Sequence, residues 1–406
     1  MTVKTTDRFS TLAVHAGEDK RKQHGALTTP IVQTSTYTFQ DTSEILDFMR
    51  RKAARSQGRD LDVRDEYGRY SNPTQSVAER KLAALESGAQ IHDNMALLFA
   101  SGMAAISTTA LALLSGGDHL IVVRGCYRRT REFAAVFLKR WGIEATFVEI
   151  DRPDQLEAAV RANTRLILAE TPTNPYLRSI DISHLVEVAR KNDILTAIDS
   201  TFATPINMRP LELGVDIVIH SASKYLGGHN DLLAGVVIGA RQTLAKIETL
   251  RGVLGGIIDP HNAYLLIRGL KTLELRVRRQ NENGQRVAEY LNTHPKIERV
   301  YYPGLPGHPD HEIARRQMSG FGGVVSFEIR GDKATASRFI DALQLPYIGP
   351  TLGGVESIAQ QQALFISLDE QERRAARVSD NLIRYALGIE NVQDIIDDLN
   401  QALGAC

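Results

Sequence analysis

Cysteine is nearly missing from this chain. Cys126 and Cys406 are the only two in 406 residues, which excludes a disulfide framework and leaves no cysteine spacing for a metal centre. Net charge is missing too: 48 basic side chains are matched by 48 acidic ones. A nucleic-acid or membrane-surface protein needs a basic excess, so neither kind of partner is expected. No apolar run is long enough to span a bilayer. The first twenty residues, MTVKTTDRFSTLAVHAGEDK, contain no apolar signal core. A cytoplasmic location is the expectation. What the chain does have is size. With 43% hydrophobic residues over 406 positions it can bury large cores and divides into two or three domains. Zero net charge gives little repulsion between copies and permits a homo-oligomer.

Residues 1–65 read as an N-terminal arm and helix. The first forty residues are mostly polar, and TTPIVQTSTYTF is extended-looking with little core of its own. Ile31, Val32, Tyr37 and Phe39 favour an arm laid on a neighbouring subunit over disorder. Ser43 to Arg55 carries Ile45, Leu46 and Met49 at helical spacing, behind Thr42 or Ser43 as a cap. The basic cluster Arg50, Arg51, Lys52, Arg55, Arg59 and Arg64 has no interleaved aromatics. It is expected to be a solvated loop and not a nucleic-acid patch. In DEYGRYSNPT, Asn-Pro marks a turn, and Tyr67 and Arg69 point the same way on an extended segment. A phenol beside a guanidinium suits a phosphate. Thr74 to Ser87 follows as an amphipathic helix closed by Gly88.

Seven short apolar runs then alternate with helix-length stretches: ALLFA, HLIVV, ATFVEI, RLILAE, ILTAID, DIVIH and GVVIG. They predict an α/β domain over residues 66–258, with a mostly parallel sheet and right-handed crossovers. Ligands of such folds bind at the carboxyl ends of the strands, so the polar residues there are the candidates. Ser101-Gly102-Met103 after ALLFA is either an ordinary turn into a helix or an anion site of free N–H groups. Tyr127 follows HLIVV in CYRRTR, and Asn174 follows RLILAE in TPTNP. Asp199 closes ILTAID, with Ser200 and Thr201 next. A carboxylate there is a cap, a loop acid, or the partner of a protonated ring nitrogen. In HSASKYLGGHND, Ser221 and Ser223 precede Lys224, whose amine either snorkels to water or is used chemically.

Residues 259–406 predict a smaller α+β domain. A long helix is expected from Ile258 to about Leu275, continuing over Asn281 to Asn292, and further helices over Lys333–Leu343 and Asn391–Leu403. Strands are expected at residues 296–301, 324–329 and 362–368. Thr351 lies in the loop YIGPTLGGVES. Arg384 has apolar neighbours on both sides, so it is either an edge residue or a buried binder of a carboxylate.

One amine, one carboxylate, a phosphate-type helix start, paired hydroxyls and an aromatic after a strand are the set that pyridoxal phosphate requires. The motifs YGRYSNPT, FASGMAA, ETPTNP, DSTFATP, HSASKYLGGHND, YPGLPGHP and LGGVES carry a resemblance from about residue 10 to 403. The chain resembles the Cys/Met metabolism family of pyridoxal-phosphate enzymes. CYRRTREF, STFATPINMRPLELG, GGHNDLLAG and QMSGFGGVVSFEI point to its plant-type cystathionine γ-synthase branch. The resemblance implies a fold-type I PLP-dependent transferase. It implies that Lys224 forms the covalent aldimine with pyridoxal 5'-phosphate and shuttles protons, that Asp199 pairs with the ring nitrogen, and that Tyr127 stacks on the ring. Ser101, Gly102, Met103, Thr201, Ser221 and Ser223 fall among the cofactor-binding residues. Tyr67 and Arg69 reach the phosphate from the adjacent subunit, making a dimer of site-sharing dimers, a homotetramer. Asn174 approaches the ring hydroxyl, Arg384 takes the substrate carboxylate with Thr351 nearby, and Arg129 lies near the distal end of the substrate, with Arg128 and Arg131 as neighbours. The implied reaction is γ-replacement on an activated homoserine by a thiol. A γ-lyase and a cofactor-binding oligomer without turnover are the competing readings. One departure stands out: members usually carry Pro-Ala-Ile-Met before the last active-site strand, and this chain has Gln362-Ala363-Leu364-Phe365.

Overall fold

The computed structural model describes residues 9–56, 63–87, 94–366, 371 and 377–406. All seven expected runs form strands: β1 Asn94–Phe99, β2 His119–Val123, β3 Glu144–Val148, β4 Thr164–Glu170, β5 Leu195–Asp199, β6 Ile217–His220 and β7 Gly235–Ala240. They make one sheet in the order β1-β7-β6-β5-β4-β2-β3. Only β7 runs against its two neighbours. The central strands are buried on both faces, and so they read as unbroken apolar runs.

A second sheet has the order β10-β11-β12-β9-β8. Its strands are β8 Ile297–Tyr301, β9 Val324–Ile329, β10 Tyr347–Ile348, β11 Ile358–Gln361 and β12 Leu382–Ala386. The strand expected at 362–368 is displaced. β11 ends at Gln361, and Gln362–Phe365 form a 3₁₀ turn with Leu364 and Phe365 each 43% exposed. The apolar run ALF misled because the buried pairing with β12 is made by Ile358-Ala359-Gln360-Gln361. Residues 367–368, like Gly88 and Arg59, lie outside the described residues.

The long helix expected from Ile258 is two helices, Pro260–Leu270 and Leu273–Thr293. Asp259 caps the first through Oδ1, which accepts from the N–H groups of His261 and Asn262. The break lets this pair press on the loop that carries Lys224. A side chain at Gly269 would lie 2.1 Å from the Gly227 carbonyl oxygen, so only glycine admits the approach. Buried Arg276 donates to the carbonyls of Tyr225 at 2.8 Å and Gly269 at 2.7 Å.

The N-terminal segment contains a helix that polarity concealed, α1 Phe9–His15. Leu12 and Ala13 are buried, and the fully buried Lys81 donates to the Ala13 and Val14 carbonyls at the end of α1. The helix over 43–55 is α2 Thr42–Ser56. Its first turn is bound by Asp41, whose Oδ1 accepts from Ser43 Oγ at 2.6 Å and Glu44 N at 3.0 Å, and not by Thr42 or Ser43. Lys81 belongs to α3 Pro73–Ser87. The extended segment 30–37 is tied down by the Asn72-Pro73-Thr74 turn. Asn72 Nδ2 donates to the Val32 carbonyl, and Thr74 Oγ1 accepts from the Val32 N–H. Among the described residues no helix is long and apolar enough to cross a membrane.

Candidate active site

The carboxyl ends of β4, β5 and β6 carry Glu170, Asp199 and, past His220, the Ser221–Lys224 turn. The turn is rigid. Ser223 Oγ accepts from Ala234 N at 2.8 Å, Ser223 N donates back to the Ala234 carbonyl, and Lys224 N donates to the Ser221 carbonyl. Lys224 is partly buried. Its Nζ donates to Thr351 Oγ1 at 2.9 Å. Burial first, and the Arg384 guanidinium second, pull its pKa below the ordinary lysine range. Both act against the charged form, so the amine is free at a lower pH than an exposed lysine.

Asp199 is 8% exposed. Its Oδ1 accepts from Thr201 N at 3.0 Å and Thr201 Oγ1 at 2.5 Å. Thr201 Oγ1 also accepts from Ser221 N at 2.8 Å, which ties the β5 end to the lysine turn. Beyond Ser221 lies the helix α4 Gly102–Leu113. Ser101 caps it: Oγ accepts from Ala104 N, and its carbonyl from Ala105 N, each at 3.1 Å. The N–H groups of Gly102 and Met103 precede the first helical hydrogen bond and stay available to an anion. A Cβ at Gly102 would stand 2.9 Å from Ser221 Cβ, so these two segments are in contact.

Glu170 and Asp199 are register partners at the ends of adjacent strands. Burial pushes both carboxyls up, and the Asp199 charge pushes Glu170 further. Thr201 donates twice to Asp199 and pulls it back down. Glu170 is thus pushed well above the ordinary carboxylate range, whereas the Thr201 hydrogen bonds hold part of the rise at Asp199 in check. Glu170 also accepts from Tyr127 N at 2.6 Å, placing the half-exposed Tyr127 at the start of the helix α5 Arg128–Glu132. A carboxyl whose pKa is raised by folding adds stability at low pH and loses it as pH rises through the folded value. Glu170→Gln is permanently neutral. The cofactor-free variant is expected to be more stable than the parent at pH 8, with the gain shrinking toward pH 5. Urea midpoints at the two pH values check this, and a gain independent of pH would contradict it.

Arg384 lies on β12, 4% exposed. Its Nη2 donates to the Thr351 carbonyl at 3.1 Å and to Gln360 Oε1 at 2.6 Å, and Nη1 donates to Asn174 Oδ1 at 3.1 Å. Nε is buried without a partner. Burial lowers its pKa to about 10. A buried cation with neutral partners and an unused donor is suited to an anionic ligand. Thr351 touches both Arg384 and Lys224, so the two cations bound one space.

A model of the Cys/Met metabolism PLP-dependent enzymes matches residues 10–404. The chain belongs to that family. It is 47% identical to "Cystathionine gamma-synthase 1, chloroplastic" of Arabidopsis thaliana, over 97% of this chain and 68% of that protein. It is 42% identical to the L-methionine gamma-lyase of Fusobacterium nucleatum subsp. polymorphum, over 97% of this chain and 98% of that one. Among solved structures, "metB from Corynebacterium glutamicum" superposes with a TM-score of 0.88 at 34% identity, covering 98% of both chains. The family's α/β fold, its pyridoxal-phosphate cofactor and its carbon–sulfur chemistry thus hold for this chain.

The residues present fit that cofactor. A partly buried amine, a buried carboxylate with no cationic partner at hydrogen-bond distance among the described residues, and two first-turn N–H groups are linked through Thr201 and Ser221. Other candidates stand apart. Arg69 donates to the Gly252 carbonyl and to the Tyr70 hydroxyl, and no hydrogen bond joins Tyr67 or Arg69 to Lys224 or the Gly102 turn among the described residues. Arg129 forms an exposed ion pair with Glu132, whereas Arg131 turns inward, its Nε buried and its charge offsetting part of the rise at Glu170. Glu170, Gln360 and Arg276 were not expected. Glu170 had the same signal as Asp199, an acid closing an apolar strand.

Proposed function

We propose that this enzyme performs γ-replacement on an activated homoserine, an O-phospho, O-acetyl or O-succinyl ester, joining a thiol such as cysteine to C4. The observation that carries the reading is the pairing of Arg384 with Lys224 across Thr351. A carboxylate on Arg384 leaves an amino acid's nitrogen facing Lys224 Nζ. When bound, pyridoxal phosphate supplies the electron sink for a substrate carbanion. Lys224 would anchor it and take the protons from Cα and then Cβ, a role helped by the burial that disfavours its ammonium form. Asp199, oriented by Thr201, would pair with the ring nitrogen. Tyr127 would serve the ring and Asn174 its hydroxyl, and Ser101, Gly102, Met103, Ser221 and Ser223 would hold the phosphate. Likeness to the plant synthase supports replacement, and likeness to the methionine lyase supports the second reading, elimination to 2-oxobutanoate and ammonia. Offering each ester with and without cysteine separates them. Thioether without oxo acid is the expected product, and oxo acid dominating at saturating cysteine would reject replacement.

We also infer that Tyr67 and Arg69 serve the phosphate of a neighbouring copy within a homotetramer. Tyr67 is 41% exposed, and Arg69 rests on Gly252 beside Val253 and Leu254, exposed by 72% and 54%. Lys224→Ala and Arg69→Ala each then disable one half of a shared site. Randomly mixed dimers should recover about a quarter of parental activity, because half are mixed and each has one intact site. Refolding the two variants together tests this, and no recovery would contradict sharing.

A further inference from the structure

Gln360 and Arg384 are register partners across β11 and β12. Gln360 is 3% exposed, and its Oε1 makes the shortest of the contacts to the guanidinium, 2.6 Å from Nη2. The other acceptors on Arg384, the Thr351 carbonyl and Asn174 Oδ1, are also uncharged. A buried guanidinium without an anion is costly. The position directly opposite is where a protein carboxylate could neutralise it. Glutamine has the length and the acceptor oxygen of glutamate but not its charge. It fixes one edge of the guanidinium fork and leaves the charge and the Nε–H unspent.

We propose that Gln360 is a specificity-determining positioning residue, whose neutral amide orients Arg384 while reserving its charge for the carboxylate of an amino-acid substrate. The inference rests on the reading of Arg384 given above. A glutamate at 360 occupies the same space and supplies the anion from the protein itself, so it competes with the ligand. The enzyme then loses its preference for an amino acid over the corresponding amine.

The test uses the pyridoxal-phosphate-loaded enzyme and follows the cofactor's absorption during titration with L-norvaline or n-butylamine, which differ only in the carboxylate. Gln360→Glu is expected to raise the norvaline Kd roughly 10- to 100-fold, the scale of a charge-assisted hydrogen bond. The butylamine Kd should stay within about twofold, which also shows that the site is intact. Equal weakening of both ligands would assign Gln360 a packing role only and overturn the proposal, as would no change in either. Arg384→Gln tests the underlying reading separately. If it leaves the norvaline Kd unchanged, Arg384 does not bind the carboxylate. If it weakens norvaline while Gln360→Glu does not, that reading stands and the role of Gln360 falls.

Discussion

Replacing Lys224 with alanine is expected to lower kcat by roughly 10²- to 10⁴-fold or more, the range for losing a positioned acid–base group. The loss should exceed that of any other single side chain, because one amine is asked both to anchor the cofactor and to move two protons. Its surroundings suit the work: desolvation and the Arg384 charge disfavour the ammonium form. Lys224→Arg is expected to be as inactive, since a guanidinium keeps its proton throughout the accessible pH range. Single-turnover measurements on folded variants check both. An alanine variant retaining a tenth of parental kcat would remove Lys224 from the mechanism.

Arg384→Gln carries the second large effect. The deleted group is a buried cation that meets a ligand anion, and truncating one partner of such a pair costs about 2–5 kcal/mol. That corresponds to roughly a 30-fold or greater loss in kcat/KM, expected mainly in KM because the contact lies away from the bonds that change. Arg384→Lys should fall between the two, since an ammonium supplies the charge without the fork held by Asn174, Thr351 and Gln360. A change below threefold for the glutamine variant would place the substrate carboxylate elsewhere.

The sequence was most legible where burial makes it monotonous. β2 and β6 are buried along their whole length, so their apolar runs stand out and the polar residues that follow mark the crevice. Asp199, Thr201, Ser221 and Lys224 emerged this way and are linked in the structure by hydrogen bonds or short backbone connections. The same reasoning fails where a buried element is polar. β11 contains Gln360 and Gln361, whose amides are satisfied by Arg384 and by Ser337 and the Lys333 and Asp380 carbonyls. No apolar periodicity announces such a strand, and the expectation slid to the neighbouring ALF. Likewise, Lys81 on α3 looks like a surface residue, yet it is buried under α1, whose last carbonyls it serves. Pairings across the fold, such as Arg276 on the lysine loop, leave no local trace at all.

The most direct measurement concerns the lysine itself. Borohydride reduction of the loaded enzyme fixes pyridoxal phosphate to whichever amine holds it, and peptide mass mapping locates the added group. We expect it on Lys224, in the peptide that includes Ser221 and Ser223. Its appearance on another lysine, such as the buried Lys81, with Lys224 unmodified, would contradict the assignment of the site.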